Sequence, residues 1–307
     1  MMMKHIMTDK HKVRGSDIIL GCLKMASLST RESTVLIHTA LEAGVNHFDQ
    51  ADIYGDGQAE ATFGKVLKKN PELRDQIVLQ SKCGIGKGYY DSSRDHIINS
   101  VEESLNRLKS EYLDVLLLHR PDTLIEPEEV AEAFSSLYDS GKVRHFGVSN
   151  FNAMQMEMLS QSAERPLVIN QLQFSLMHTA LIDAGLNVNT GQPAAVNRDG
   201  SVLEYCRLKG ITIQAWSPLA NGQNTGTLLN HDEYPELNRL LDRMAEARNV
   251  TPSAVALAWI LRHPAGIKPV VGTTQPGRLK ELAGSRDVML NRQEWYALYH
   301  AAGNQLP

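Results

Sequence analysis

Eight short runs of mostly β-branched and aliphatic residues recur along the chain and alternate with longer stretches of helical periodicity. The runs begin near Ile18, Val45, Ile77, Leu113, Arg144, Leu167, Ile211 and Lys268. Strands that alternate with helices predict βαβ units and a parallel sheet. Eight such units in 307 residues fit a closed barrel better than an open sheet. The sequence therefore predicts an α/β fold, a (β/α)8 TIM barrel with extra helices, as a single domain over residues 1–307.

Two segments depart from this alternation, one at the N-terminus and one after the sixth strand. Residues 1–12 contain no apolar run of signal-peptide length, and we expect them to form a poorly ordered extension. Residues 174–200 include Gly185, Gly191 and Pro193 and show no strong periodicity. Long segments of this kind in compact domains usually serve function, so we predict a long loop that shapes the mouth of a site.

Local signals mark several boundaries within the barrel. Helical periodicity predicts helices at 30–43, 94–108, 127–138 and 233–247. Thr251 before Pro252 predicts a capped helix start, and Asn291 with Glu294 resembles a capping box. The glycines at 84, 86 and 88 follow the third strand and do not match the glycine-rich turn of a nucleotide-binding open sheet. They predict a flexible loop.

Composition and charge narrow the possible partners. A net charge of −4 with both signs interspersed gives no electrostatic reason to expect nucleic acid. No basic amphipathic stretch suggests a membrane surface. The three cysteines are far apart and match neither a zinc site nor a disulfide framework, so we expect no metal and a reducing, cytoplasmic location.

Polar residues end the consecutive strands of the predicted barrel. In such barrels the carboxyl ends of the strands carry the chemistry, because the βα loops converge there. The candidates for chemistry at this rim are Asp49, Tyr54, Lys82 and His119.

Together these four side chains can move a proton. The pKa of a tyrosine is near 10, and a neighbouring ammonium such as that of Lys82 would lower it. Asp49 would keep a buried Lys82 charged. A neutral imidazole at His119 could hold a carbonyl oxygen by a hydrogen bond. Hydride must come from a cofactor, because no side chain supplies one.

Other interpretations of the same residues remain open. Each residue alone is more easily explained as an ordinary polar or loop side chain, and only their joint placement favours catalysis. A regulatory module that senses the redox state of the cofactor, with little turnover, is the main alternative. A metal-dependent hydrolase or sugar isomerase would need clustered histidines and acids. His47, His119 and His145 lie near strands at positions that suggest mixed facing.

Three segments of the chain resemble the signatures of the aldo-keto reductases. They are GVNHFDQADIYG from Gly44, LLHRPD from Leu117 and GKVRHFGVSNF from Gly141. The resemblance covers nearly the whole chain and extends to a bacterial YdhF-like subgroup of predicted oxidoreductases. It implies a barrel enzyme that reduces a small carbonyl substrate with NADP(H), with Asp49, Tyr54, Lys82 and His119 as the catalytic tetrad and Tyr54 as the acid.

The resemblance also implies the cofactor contacts. Ser149, Asn150 and Gln171 match positions that hydrogen-bond the nicotinamide carboxamide, and Trp216 matches the aromatic residue that stacks on the ring. The other positions that the resemblance assigns to the cofactor are Lys24, Ser217, Leu219, Gly272, Thr273, Thr274 and Arg278.

Arg278 lies in a segment with its own physical signal. Pro276 and Gly277 precede a helical stretch, and the free N–H groups of a helix N-terminus favour an anion. Arg278 would add a charge-assisted contact to the 2′-phosphate that NADP has and NAD lacks. We therefore expect NADPH rather than NADH. A lone solvated surface arginine is the alternative interpretation.

Overall fold

The computed structural model describes residues 13–222 and 226–307 as a closed barrel of eight parallel strands with helices outside it. The predicted extension, residues 1–12, lies outside the described residues. In chain order the barrel strands are β1 (Ile19–Gly21), β2 (His47–Asp49), β3 (Val78–Cys83), β4 (Leu113–Leu118), β5 (Val143–Ser149), β6 (Leu167–Gln173), β7 (Thr212–Trp216) and β8 (Lys268–Val271). The ring order is β1-β8-β7-β6-β5-β4-β3-β2, which confirms the predicted (β/α)8 fold.

The helices of the described residues surround this ring. They are α1 (Thr30–Glu42), α2 (Gln58–Lys69), α3 (Arg94–Leu108), α4 (Pro127–Asp139), α5 (Ala153–Ser162), α6 (Ala180–Leu186), α7 (Val202–Lys209), α8 (Pro235–Glu246), α9 (Pro252–Leu261), α10 (Pro276–Ala283) and α11 (Arg292–Ala301). The predicted caps are confirmed: Thr251 accepts from the Ala254 amide, and Asn291 forms a capping box with Glu294. None of these helices has the combined length and apolar composition that crossing a bilayer requires.

Two apolar clusters hold the barrel together. The larger cluster lies between the strands and the helices, and the smaller one includes Val115, Leu117 and Ile169. Since alternate residues of a strand face the same side, Val78, Gln80 and Lys82 of β3 form one inward row. Val78 at the start of this row is apolar, whereas Lys82 near its end is charged. The polar side chains that face the barrel interior therefore lie toward the carboxyl ends of the strands.

The two segments predicted as loops are partly regular. The glycine-containing stretch after β3, predicted as a flexible loop, contains a two-stranded hairpin in which Ile85 pairs with Tyr90. Residues 174–200 contain α6 and a 3-10 turn at Pro193–Ala195. Helix α6 has only seven residues, with Ile182 as its buried side chain, so its period is too short to show in the sequence.

Candidate active site

Lys82, near the end of β3, is the centre of a buried group of polar side chains. Its ammonium lies 2.8 Å from both carboxylate oxygens of Asp49 and 2.9 Å from the Tyr54 hydroxyl. It also donates to the backbone carbonyl of Gln50 at 2.8 Å. The side chains of Lys82 and Asp49 are 0% and 2% exposed. The structure therefore brings three of the four predicted catalytic side chains into direct contact.

Three buried glutamines from β3, β6 and β7, here named the glutamine layer, support Asp49 from inside the barrel. Gln80 donates to one carboxylate oxygen of Asp49 at 2.5 Å, and Gln171 donates to the same oxygen at 3.1 Å. Both also donate to Gln214 at 2.9 Å, and Gln214 donates back to Gln80 at 3.0 Å. The layer therefore holds the Asp49 carboxylate in place by two hydrogen bonds to one of its oxygens.

His119 follows β4 and faces Tyr54. The two ring centroids are 6.0 Å apart, with the planes at 80°. Burial lowers the pKa of His119 to about 3, and the charges of Lys82 and Arg120 add to this effect. The imidazole is therefore neutral over the ordinary pH range and can donate one N–H to a carbonyl oxygen.

Two opposing effects act on the pKa of the Tyr54 hydroxyl, and the sequence predicted only one of them. Burial raises the pKa of the Tyr54 hydroxyl above its ordinary value, and the Lys82 ammonium opposes this rise without cancelling it. Burial alone would lower the pKa of Lys82, but Asp49 and Tyr54 outweigh burial, and the net pKa is raised. Lys82 lowers the pKa of Tyr54 as predicted, but burial outweighs this contribution and the net pKa is raised. Tyr54 keeps its proton and Lys82 keeps its charge.

Four of the predicted cofactor residues form a chain of hydrogen bonds beside Tyr54 and Lys82. Trp216 donates from Nε1 to the Asn150 side chain at 3.1 Å, Asn150 donates to the Ser149 hydroxyl at 2.9 Å, and Ser149 donates to the Gln171 carbonyl at 2.9 Å. Asn150 has a φ of 63°, a left-handed conformation that is uncommon outside functional and turn positions. Because the two amide N–H groups of Gln171 donate to Asp49 and to Gln214, its Oε1 is the atom left for a ligand.

The remaining predicted cofactor residues lie along the rim. Ser217 follows β7 with a φ of 51°, and Leu219 is partly buried against the larger apolar cluster. The Thr273 hydroxyl accepts the Gln275 amide at 3.2 Å, between exposed Gly272 and partly buried Thr274. Arg278 lies in the first turn of α10 beside a groove of about 590 Å³. Lys24 is exposed on the 3-10 helix Leu23–Ser27, and no hydrogen bond of the described residues joins it to the Trp216 chain.

Comparison with known proteins identifies the family. Residues 17–301 match the Aldo/keto reductase family. The chain belongs to that family. Within 13–222 and 226–307, no three His, Cys, Asp or Glu side chains of the reductase are grouped closely enough to hold a metal ion.

Relatives of the reductase match it along most of its length. Oxidoreductase YdhF of Escherichia coli (strain K12) is 36% identical over 285 residues, which are 90% of this chain and 89% of YdhF. A 6-dehydroglucose reductase of Agrobacterium fabrum is 36% identical over 304 residues, 95% of each protein. An aldo/keto reductase of Klebsiella pneumoniae, solved in complex with NADP and acetate, has a TM-score of 0.75, 26% identity and coverage of 95% of both chains.

The loop that carries Tyr54 is flanked by a fully buried carboxylate, Glu60, and contains a partly buried one, Asp52. Glu60 of α2 is fully buried and accepts from the Ser81 hydroxyl at 2.6 Å and from Arg107 of α3 at 2.8 Å. Gly64 permits this approach, because a Cβ there would lie 2.1 Å from the Arg107 carbonyl oxygen. Asp52 has one buried oxygen without a partner among the described residues. Burial, then the charge of Glu60, raises the pKa of Asp52 to about 7.

Replacing Asp52 with asparagine should change how stability of the reductase depends on pH. The pKa of Asp52 is about 7 in the folded chain, against about 4 in an unfolded one. The folded state therefore binds more protons between these values, and the free energy of unfolding falls as pH rises through this window. We expect Asp52→Asn to melt at a higher temperature than the wild type at pH 8, with the difference shrinking toward zero at pH 4.

Thermal melting across that pH range measures this effect. Asp56→Asn, at an exposed aspartate of the same loop, is the matched control and should follow the wild type. An Asp52→Asn curve parallel to the wild-type curve at every pH would contradict the assignment.

Sequence reasoning missed the supporting side chains of the site. Gln80 and Gln214 precede Lys82 and Trp216 by two positions, so strand alternation predicts that they share an inward face. Strand alternation could therefore have placed both glutamines inside the barrel from the sequence alone. Glu60 has a weaker signal, an acid near the start of a helix, which usually indicates a favourable dipole interaction on the surface and not burial.

Proposed function

We propose that this reductase converts a small aldehyde or ketone to the alcohol with NADPH, and that Tyr54 donates the proton. The observation that carries the proposal is the buried Lys82 ammonium, 2.9 Å from the Tyr54 hydroxyl and 2.8 Å from Asp49. A sensor of nicotinamide nucleotides would need no acid paired with a cation in this way. His119, neutral and facing Tyr54, supplies the second donor for a carbonyl oxygen.

NADP(H) is the cofactor, and the side chains at the end of β5 to β7 fit its nicotinamide end. Ser149, Asn150 and the free Oε1 of Gln171 offer both donors and acceptors, which an amide group requires. Trp216 lies against this cluster with its ring held by a bond to Asn150. These four residues would hold the carboxamide and the ring. The solved relative from Klebsiella pneumoniae that holds NADP supports the assignment.

The phosphate end of the cofactor fits the far side of the rim. Ser217 and Leu219 would hold the pyrophosphate, with Lys24 as a further proposed contact. The start of α10 has no side-chain cap, so its first N–H groups are open to an anion. Gly272, Thr273, Thr274 and Arg278 surround that helix start and would hold the adenosine 2′-phosphate.

The side chains of the site perform acid catalysis. When bound, NADPH supplies the hydride that no side chain can provide. His119 orients the carbonyl oxygen, and Tyr54 transfers its proton to that oxygen as negative charge develops there. Lys82 stabilises the tyrosinate that forms, and Asp49 keeps Lys82 positive. Donors placed in advance at a developing alkoxide supply a large part of such rate acceleration.

Turnover with a panel of carbonyl compounds tests the proposal directly. NADPH oxidation is followed with aliphatic aldehydes, aromatic aldehydes, ketones and a six-carbon sugar aldehyde, the last because two relatives are 6-dehydroglucose reductases. We expect turnover with at least one class. Tight NADPH binding with no turnover on the panel would favour the sensing module.

The three cysteines are free and buried, which supports the expected location in a reducing cytoplasm.

Arg278→Gln should weaken the preference for NADPH. The guanidinium has no carboxylate within 4 Å in the described part of the chain, so its charge is available to a phosphate. We expect the KM for NADPH to rise about tenfold, because a charge-assisted hydrogen bond is lost at an exposed site. The KM for NADH should change little.

Steady-state kinetics with both nucleotides measures that effect. Lys280→Gln removes a positive charge from the same helix, where Lys280 pairs with Glu42, and serves as the control. Equal changes in the KM for NADPH and NADH would show that Arg278 does not contact the 2′-phosphate.

A further inference from the structure

Arg120, the residue after His119, lines a cavity of about 510 Å³ together with Trp216 and Asn150. Its side chain is partly buried. The guanidinium carbon lies 6.0 Å from the centre of the Trp216 ring. Within the described residues, neither a hydrogen bond nor a carboxylate within 4 Å satisfies this guanidinium. A group with five N–H donors is thus left open beside the reaction site.

Other partly buried arginines of the chain are paired. Arg74 is bonded to Asp114 at 2.8 Å, and Arg107 to Glu60 at 2.8 Å. Their side chains are 12% and 25% exposed. Polar groups withdrawn from water in this way are normally satisfied by protein or by a ligand. Arg120 differs because it faces a cavity, and the Asp199 carboxylate in the cavity lining lies more than 4 Å from its guanidinium.

The other polar groups around the cavity are mainly donors. Asn152 and Gln155 use their amide oxygens in the capping box of α5, which leaves their NH2 groups as the available atoms. Asp199 is the carboxylate among the lining residues, and one of its oxygens accepts the backbone amides of Ser201 and Val202. The cavity therefore offers the Arg120 guanidinium, the exposed guanidinium of Arg198 and two amide donors to an incoming group.

We propose that this cavity binds an anionic group of the substrate and that Arg120 pairs with it. The proposal rests on the function proposed above and names its substrate class: carbonyl compounds that carry a carboxylate or phosphate at the end remote from the reacting carbon. An arginine fork matches both oxyanions in two-point geometry, which also orients the carbonyl toward Tyr54 and His119. Nothing in the reaction itself changes, because the anion is bound and not transformed.

A pair of aldehydes that differ in charge and not in size tests this subsite. We compare kcat/KM for 4-carboxybenzaldehyde and 4-nitrobenzaldehyde, and we use the ratio of the two values as the readout. The wild type should favour the carboxylate, and Arg120→Gln should reduce the ratio by roughly tenfold to a hundredfold, as expected when a charged hydrogen bond is lost. Arg120→Lys, which keeps the charge but not the fork, should recover part of the ratio.

Because both kcat/KM values are measured on the same preparation, a general loss of active enzyme in a variant does not change their ratio. Arg165→Gln, the same exchange beside the ring of Tyr138, is the matched control and should leave the ratio as in the wild type. A second pair, glyceraldehyde 3-phosphate and glyceraldehyde, distinguishes phosphate from carboxylate recognition. An Arg120→Gln variant that lowers both members of each pair by the same factor would overturn the proposal.

Failure of the subsite can be separated from failure of the reductase function. If the wild type turns over none of these aldehydes, binding of 4-(hydroxymethyl)benzoate and 4-nitrobenzyl alcohol to the NADP-loaded protein is measured by quenching of tryptophan fluorescence. Tighter binding of the benzoate, lost in Arg120→Gln, supports the subsite without turnover. Equal binding of the two compounds overturns it.

Discussion

Tyr54→Phe should lower kcat by about three orders of magnitude while the Kd for NADPH stays within about twofold, since a positioned general acid contributes about 10²–10⁴-fold. The exchange removes the hydroxyl that receives the 2.9 Å bond from Lys82, but it keeps the ring that faces His119. The proposed cofactor contacts at Ser149, Asn150 and Trp216 form their own chain of hydrogen bonds and do not involve the hydroxyl. Chemistry is therefore lost without loss of nucleotide binding.

Steady-state kinetics and fluorescence titration with NADPH measure these two quantities. Tyr205→Phe is the control. Tyr205 lies on α7, away from the site, and its hydroxyl donates to Glu157, so this variant should retain the wild-type kcat. Turnover retained in Tyr54→Phe would refute Tyr54 as the proton donor. A large loss of NADPH affinity would instead assign the hydroxyl to cofactor binding.

Lys82→Met should cost both activity and stability. The exchange leaves the Asp49 carboxylate, 2% exposed, without its cation and with the amides of Gln80 and Gln171 as its remaining partners. Removing one partner of a buried ion pair typically costs about 3–5 kcal/mol. We expect a loss of that size in the free energy of unfolding from urea titration, together with loss of turnover because the tyrosinate would have no cation beside it.

The double variant Asp49→Asn with Lys82→Met separates the two effects. The asparagine oxygen can accept from Gln80 and Gln171 as the carboxylate does, and no charge is left buried. We expect most of the stability to return and the activity to remain absent. A double variant no more stable than Lys82→Met would show that the lost stability comes from packing and not from the unpaired charge.

The fold was largely predictable because each barrel strand carries its own local signal. The structure starts each of the eight strands within two residues of the predicted position, and α3 has the predicted bounds. Strands buried on both faces are mostly apolar, as β4 is apart from Asp114, and such runs stand out in a sequence. Asp49, Lys82 and His119 could be assigned to one rim because parallel strands present the same end of each strand to that rim.

The supporting contacts could not be predicted because they join distant parts of the chain across the barrel. Gln80 and Gln214 are 134 positions apart, and strand alternation shows which face each occupies but not which residue lies opposite. The direction of the pKa of Tyr54 depends on how deeply the loop after β2 is buried. The unpaired state of Arg120 likewise depends on what the 174–200 segment and α5 place in front of it.

The glutamine layer holds Asp49, and through it Lys82, from below the rim where the proposed substrate contacts lie. Each amide of the layer is oriented by hydrogen bonds to its neighbours. The electrostatic field that these dipoles contribute at the reacting oxygen is therefore determined below the rim. Dipoles already in place need no reorientation during a catalytic cycle. On the proposed function, the loops above the rim can therefore differ in their substrate contacts without any change in the side chains that hold the proton-transfer centre.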